Sequence, residues 1–167
     1  MPNPMSAPCH PVASNAPATR LGHVHLKVRD ARSSADFYAA LLGLQETENL
    51  DDAFIFLSAG HEHHALALQS LGNDAVLPEP HGIGLYHSAW EVSDPGQLAC
   101  VWDRLAEQGH PFSAVDHGIS WALYLADPDG NGIEVYLDRR DAESGSSHWN
   151  GRSRRLSRQE LPPSRVA

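Results

Sequence analysis

Two histidines and one glutamate occupy positions from which they could bind a metal ion. His23 and His87 open two similar phrases 64 residues apart, in which a valine follows five residues later and an aspartate seven residues later. The second copy closes with Asp-Pro-Asp-Gly-Asn-Gly-Ile-Glu, which ends at Glu134. Two imidazoles and one carboxylate make a facial triad, which leaves half of an octahedral metal free for other ligands. We therefore expect a metal site where the two copies face each other.

The elements around these residues repeat one order: a strand, a helix and three strands. Alternation at the first strand predicts that Val24, Leu26 and Val28 face a core while His23 faces away. The first module, residues 20–70, is predicted to hold a helix at 33–42 and strands at 21–28, 44–49, 53–58 and 63–69. The second module, residues 83–138, is predicted to hold a helix near 95–108 and strands near 84–92, 111–115, 120–126 and 132–138. We expect an α+β domain over 20–140, in which two tandem βαβββ modules form a curved mixed sheet around a metal-containing cavity.

Charge and composition exclude several classes of protein. The 167-residue chain has a net charge of −9, and seven of its 12 Lys and Arg residues follow position 138. The acidic body lacks the basic face that nucleic-acid binding requires. Nothing resembles a signal peptide or a transmembrane segment, so no membrane is expected and the cytoplasm is the expected location. Two cysteines do not form a disulfide framework.

Both ends of the chain differ from the body in composition. Residues 1–19 are rich in Pro, Ala and Ser and are predicted to be a disordered leader. Residues 141–167 are basic and lack apolar periodicity, which favours a flexible tail. Trp149 is the tail residue with the most surface to bury, so it could fold over the cavity mouth or reach a dimer partner.

The repeated module, the two histidine strands and the ending at Glu134 resemble the vicinal oxygen chelate superfamily. That group includes glyoxalases, fosfomycin-resistance transferases, bleomycin-binding proteins and extradiol ring-cleaving dioxygenases. The resemblance covers about residues 20–138. It implies a divalent metal held by His23, His87 and Glu134, with Fe(II) as the first expectation and Mn(II) or another divalent ion as the alternative.

Three segments resemble the extradiol dioxygenases in particular. The stretch from Phe56 to Leu68 resembles the strand that carries their acid–base histidine, and the resemblance selects His64. Asp-His-Gly-Ile-Ser around His117, together with Tyr124 ten residues before Glu134, resembles the His and Tyr that lie beside their metal ligands. The resemblance thus implies that His64, His117 and Tyr124 are catalytic.

Strand alternation leaves a second choice for the acid–base histidine. Leu66 and Leu68 share the parity of His64 and have the composition of core residues, which would turn His64 away from the cavity. A strand that begins at Ala65, or a bulge, would remove the conflict. His63 is the alternative.

The remaining branches of the superfamily fit less well. A glyoxalase-type site would need a carboxylate on the strand at 63–69, which has none, and a phosphonate site would need cations, but Arg104 is the only Lys or Arg between 33 and 138. We therefore expect an extradiol dioxygenase that acts on a catechol-type aromatic diol with dioxygen. An isomerase or transferase of the same superfamily, or a non-catalytic small-molecule binder, is the alternative. Small relatives also pair modules across a dimer, so a homodimer is expected, with the metal site either in one chain or shared.

Overall fold

The computed structural model describes residues 20–79 and 82–164, so the leader predicted for 1–19 lies outside the described residues. The described part contains β1 Val24–Val28, α1 Ala31–Leu42, β2 Gln45–Leu50, β3 Phe54–Ser58, β4 Leu66–Ser70, β5 Ser88–Glu91, α2 Pro95–Glu107, β6 Ser113–Asp116, β7 Ser120–Ala126, β8 Gly132–Asp138 and β9 Arg154–Arg155. Neither helix of this part has the length and apolar character needed to cross a membrane.

The first module is a four-stranded sheet packed against α1. The helix begins after Asp30, whose side chain accepts from the Ser33 N–H at 2.9 Å, and it ends at Gly43 with a φ of 72° that glycine adopts without strain. The strand order is β1-β4-β3-β2, with β1 parallel to β4. Leu26 and Val28 are buried and the intervening Lys27 is exposed, as the alternation predicted.

The second module repeats this arrangement around α2. Asp94 caps the helix by accepting from the N–H groups of Gly96 and Gln97, and Pro95 occupies the first turn, where no backbone donor is needed. The strand order is β5-β8-β7-β6-β9, with β5 parallel to β8. The α+β class and the two βαβββ modules are therefore confirmed, with β9 added at one edge.

The two modules share one core on the helix side of their sheets. Arg104 donates to the carbonyl oxygens at the end of α1, and Tyr38 donates to the buried carboxylate of Asp127 at 3.2 Å. Buried residues of both modules belong to one apolar cluster. The opposite faces carry His25 on β1 and Glu134 on β8.

Residues 141–164 differ from the flexible tail that the sequence predicted for 141–167. β9 pairs with β6, and Leu156 is fully buried in the shared core together with Leu161. Arg158 binds Asp103 of α2 through two hydrogen bonds of 2.6 and 2.7 Å. Two separate leucines in a polar segment produce no periodicity, so their burial could not be read from the sequence pattern.

Replacing Leu156 by Ala is expected to lower the free energy of unfolding by about 2–5 kcal/mol, because a buried leucine leaves a cavity when truncated. Urea denaturation measures the change. Leu21→Ala is the control, because Leu21 is 80% exposed and should shift stability by less than about 0.5 kcal/mol. Equal unfolding midpoints for the two variants would contradict the anchoring of this segment.

Candidate active site

His87 and Glu134 form the centre of the site in the second module. His87 lies one residue before β5, and Glu134 lies on the neighbouring strand β8. The His87 Nε2 atom and the Glu134 Oε2 atom are 2.9 Å apart, and the two side chains are 26% and 13% exposed. A mostly buried carboxylate therefore faces an imidazole nitrogen directly.

Tyr124 and His117 extend this pair into a chain of hydrogen bonds. The register of β7 and β8 places Tyr124 opposite Glu134, and the Tyr124 hydroxyl donates to Glu134 Oε1 at 2.7 Å. His117 Nε2 lies 2.9 Å from the same hydroxyl. Burial raises the pKa of Tyr124, and the hydrogen bond to Glu134 raises it further, so the phenol keeps its proton at neutral pH. The sequence-predicted residues of this module are thus brought together.

His23 and His64 form a second group, on the first module. Their ring centroids are 4.4 Å apart, and the ring of Phe56 lies 5.0 Å from that of His64. Because β4 begins at Leu66, His64 precedes the strand. The alternation of side chains along β4 therefore does not apply to His64 and does not turn it away from the cavity. Burial lowers the pKa of His64, and the neighbouring imidazoles of His23 and His63 lower it further.

Within one chain the two groups remain apart. No set of three or more His, Cys, Asp or Glu side chains among residues 20–79 and 82–164 is arranged to hold a metal ion. The three predicted ligands are therefore not assembled in the described part of a single chain. His63 contacts His64 through their Nδ1 atoms at 2.8 Å and also lies near Glu48, on the outer side of this group.

The donor atoms of the second module nevertheless suit a divalent metal. Ligand atoms on adjacent corners of an octahedron lie about 3 Å apart when each metal bond is about 2.1 Å. The His87–Glu134 separation of 2.9 Å matches that spacing. In the described part of the chain, Glu134 has no Lys or Arg partner, so a cation would offset the cost of burying its charge.

A cavity of about 490 Å³ lies directly at this group and is lined by Tyr86, His87, Ser113, His117, Tyr124, Leu125, Gly132 and Ile133. A larger cavity of about 700 Å³ lies beside α2, where Trp90, Cys100 and Arg104 contribute to its wall. We place the site at the smaller cavity, because His87, His117 and Tyr124 line it and are hydrogen-bonded or ion-paired to one another or to Glu134.

Two contacts of His117 come from the segment beyond residue 141. Ser153 Oγ lies 2.7 Å from His117 Nδ1, and the Trp149 ring meets the His117 ring edge-on at 6.4 Å. The sequence suggested a docking place for Trp149, but no motif marked Ser153. A single serine in a stretch rich in Arg and Ser does not indicate a functional role.

Comparison with known proteins identifies the family. Residues 20–135 match the sequence model of the glyoxalase/bleomycin resistance protein/dioxygenase superfamily. The chain belongs to this superfamily. It is 39% identical over 121 residues to a catechol-2,3-dioxygenase of Bacillus subtilis (strain 168). The aligned region covers 72% of this chain and 42% of that relative. It is 33% identical over 122 residues to biphenyl-2,3-diol 1,2-dioxygenase 3 of Rhodococcus globerulus, covering 71% of the chain and 63% of the relative.

Solved structures of superfamily members share the fold. A glyoxylase/bleomycin resistance protein/dioxygenase domain from Frankia sp. EAN1pec superposes with a TM-score of 0.59 at 25% identity, over 74% of this chain and all of that one. The chain thus spans about half the length of the two dioxygenases named above and the full length of this single domain.

Proposed function

We propose that this protein is a metal-dependent extradiol dioxygenase, which cleaves a catechol-type aromatic diol with dioxygen. The observation that carries the proposal is the continuous chain from His117 through Tyr124 to Glu134 and His87, of which His117, Tyr124 and His87 line one cavity. The dioxygenase names of the relatives supply the reaction class. We propose Fe(II) as the metal, with Mn(II) as the alternative, and His23, His87 and Glu134 as its ligands.

The proposed site is shared between two copies of the chain. His87 and Glu134 lie on the open face of one sheet, while His23 and His64 lie at the open face of the other, away from the shared core. Since one chain does not assemble a three-ligand group among its described residues, a second copy would supply the missing half. A two-fold axis would then create two equal sites, each with one module from either chain.

An exposed apolar patch supports a second copy as the partner. Between the modules, six large apolar side chains are each at least 48% exposed; this linker patch consists of Leu71, Val76, Leu77, Ile83, Leu85 and Tyr86. Four of them, Leu71, Val76, Leu77 and Leu85, line one cavity, and clustered apolar surface usually marks an interface. The patch reaches the site, because the Tyr86 ring lies 5.2 Å from the His87 ring.

The protein's own groups have distinct tasks in this proposal. When bound, the metal would supply Lewis acidity for the diol and an electron path to dioxygen. His64 accepts a proton from a diol hydroxyl and later returns it, which suits an imidazole because it titrates near neutrality. His117 donates to a diol oxygen, and Tyr124 holds Glu134 in place. The apolar walls at Leu125 and Ile133 keep water from the ring.

The test is oxygen uptake by Fe(II)-loaded protein, prepared without air, on a panel of catechols, with absorbance watched for a yellow ring-fission product. His64→Phe is expected to lower turnover on the order of 100-fold to 10,000-fold while metal content stays near normal, because it removes proton transfer and keeps bulk. His63→Phe is the matched control and should retain turnover. Loss in His63→Phe alone would assign the role to His63, and no uptake by the wild-type protein would contradict the proposed reaction.

A further inference from the structure

We propose that Ser153 is a positioning residue that holds the ring of His117 beside Tyr124, a role that rests on the proposed function of the site. Its hydroxyl lies 2.7 Å from His117 Nδ1, on the side of the ring opposite the Nε2 atom that meets Tyr124. Both ring nitrogens therefore have one partner each. The residue comes from a segment that lies outside the matched family region of 20–135.

The direction of each hydrogen bond follows from counting protons along the chain. The Tyr124 hydroxyl has one hydrogen, and it donates that hydrogen to Glu134 Oε1. Toward His117 the Tyr124 oxygen can then only accept, so Nε2 of His117 must carry a hydrogen. A neutral imidazole has one N–H, which leaves Nδ1 as an acceptor for the Ser153 hydroxyl. All three hydrogen bonds therefore run in one direction, from the Ser153 hydroxyl as the first donor to the Glu134 carboxylate as the last acceptor.

The segment around Ser153 is held firmly enough to act in this way. Ser153 directly precedes β9, which pairs with the strand that ends at Asp116, next to His117. Arg154 binds Asp116 and Glu160, each at 2.7 Å, and Leu156 is fully buried. The Trp149 ring stands edge-on against His117 and donates its N–H to the Arg152 carbonyl at 3.1 Å.

The fixed tautomer determines what a diol oxygen meets in the cavity. With Nε2 protonated, the His117 N–H that meets Tyr124 can be shared with a neighbouring substrate oxygen that develops negative charge. The other tautomer would set a lone pair of Nε2 against the lone pairs of the Tyr124 oxygen. Without Ser153, no side chain of the described residues would hold Nδ1, and the ring would spend part of its time turned away from Tyr124 toward water, where both tautomers are populated.

The test is ¹⁵N NMR of histidine-labelled, metal-free protein, with the His117 signals identified by their loss in His117→Asn. The wild-type ring is expected to give the pattern of an Nε2–H imidazole. Ser153→Ala should raise the population of rings turned away from Tyr124 by about fivefold, because one hydrogen bond contributes about 1 kcal/mol, and the pattern should move toward that of a solvent-exposed imidazole. Ser153→Thr keeps the hydroxyl and should restore the wild-type pattern.

Ser147→Ala is the matched control, because Ser147 lies 3.0 Å from Nδ1 of the exposed His148 and should leave the His117 signals unchanged. In the Fe(II)-loaded enzyme, Ser153→Ala should lower kcat about fivefold with little change in KM. An Nδ1–H pattern in the wild type, or an unchanged pattern in Ser153→Ala, would overturn the assignment. The NMR measurement needs no turnover, so a wild-type protein without dioxygenase activity would contradict only the proposed function.

Discussion

Mixing the His23→Ala and His87→Ala variants, each inactive alone, is expected to restore about one quarter of wild-type activity. If each site combines the first module of one chain with the second module of the other, a dimer of the two variants has one site that contains both substitutions and one site that contains neither. Random pairing makes about half of the dimers hybrids, each with one intact site of two. The two variants are refolded together from urea, and oxygen uptake is measured per mole of protein.

A second mixture provides the control for this experiment. His23→Ala and His64→Phe both alter the first module, and each site of their hybrid would contain one defect, so no activity should return. Restoration in the first mixture alone would identify a site built from both chains. No restoration in either mixture, with hybrid dimers demonstrated by two affinity tags, would contradict the shared site and place all three ligands in one chain.

Glu134→Gln is expected to abolish bound metal and activity together while the protein stays folded. Glutamine keeps the shape of the side chain and can still accept from Tyr124, but it removes the negative charge of the proposed triad. Loss of a residue that only supports a ligand costs 10-fold to 100-fold in metal affinity, so loss of the ligand itself should cost at least about 100-fold. Elemental analysis after dialysis and competition with a metal-binding dye measure the change.

Glu91→Gln is the matched variant for this prediction. Glu91 also accepts from a tyrosine on β8, since the Tyr136 hydroxyl donates to it at 3.1 Å, but it is exposed and has no histidine partner in the described part of the chain. It should retain metal content and activity. Full metal occupancy in Glu134→Gln would exclude Glu134 as a ligand.

The half of the site in the second module could be predicted because its geometry is local. Tyr124 and Glu134 are joined by a hairpin whose turn at Asp127 fixes the register, with the Asp127 side chain accepting from the Asp129 and Asn131 N–H groups at 2.9 and 2.8 Å. A spacing of ten residues then places the two side chains opposite each other. The pairing of His23 with His64 was harder to predict, because it depends on where β4 begins.

The two βαβββ modules could be predicted from the sequence, together with their helix boundaries to within about two residues and the identity of the polar side chains on the open faces. These features depend on alternation, capping and turn residues, which act over a few positions. The sequence did not predict that the modules share a core on their helix side, or that Leu156 packs there and brings Ser153 to His117; both became visible in the folded protein. Apolar periodicity indicates which face of an element is buried but does not specify the partner that buries it, and a single buried leucine has no period at all.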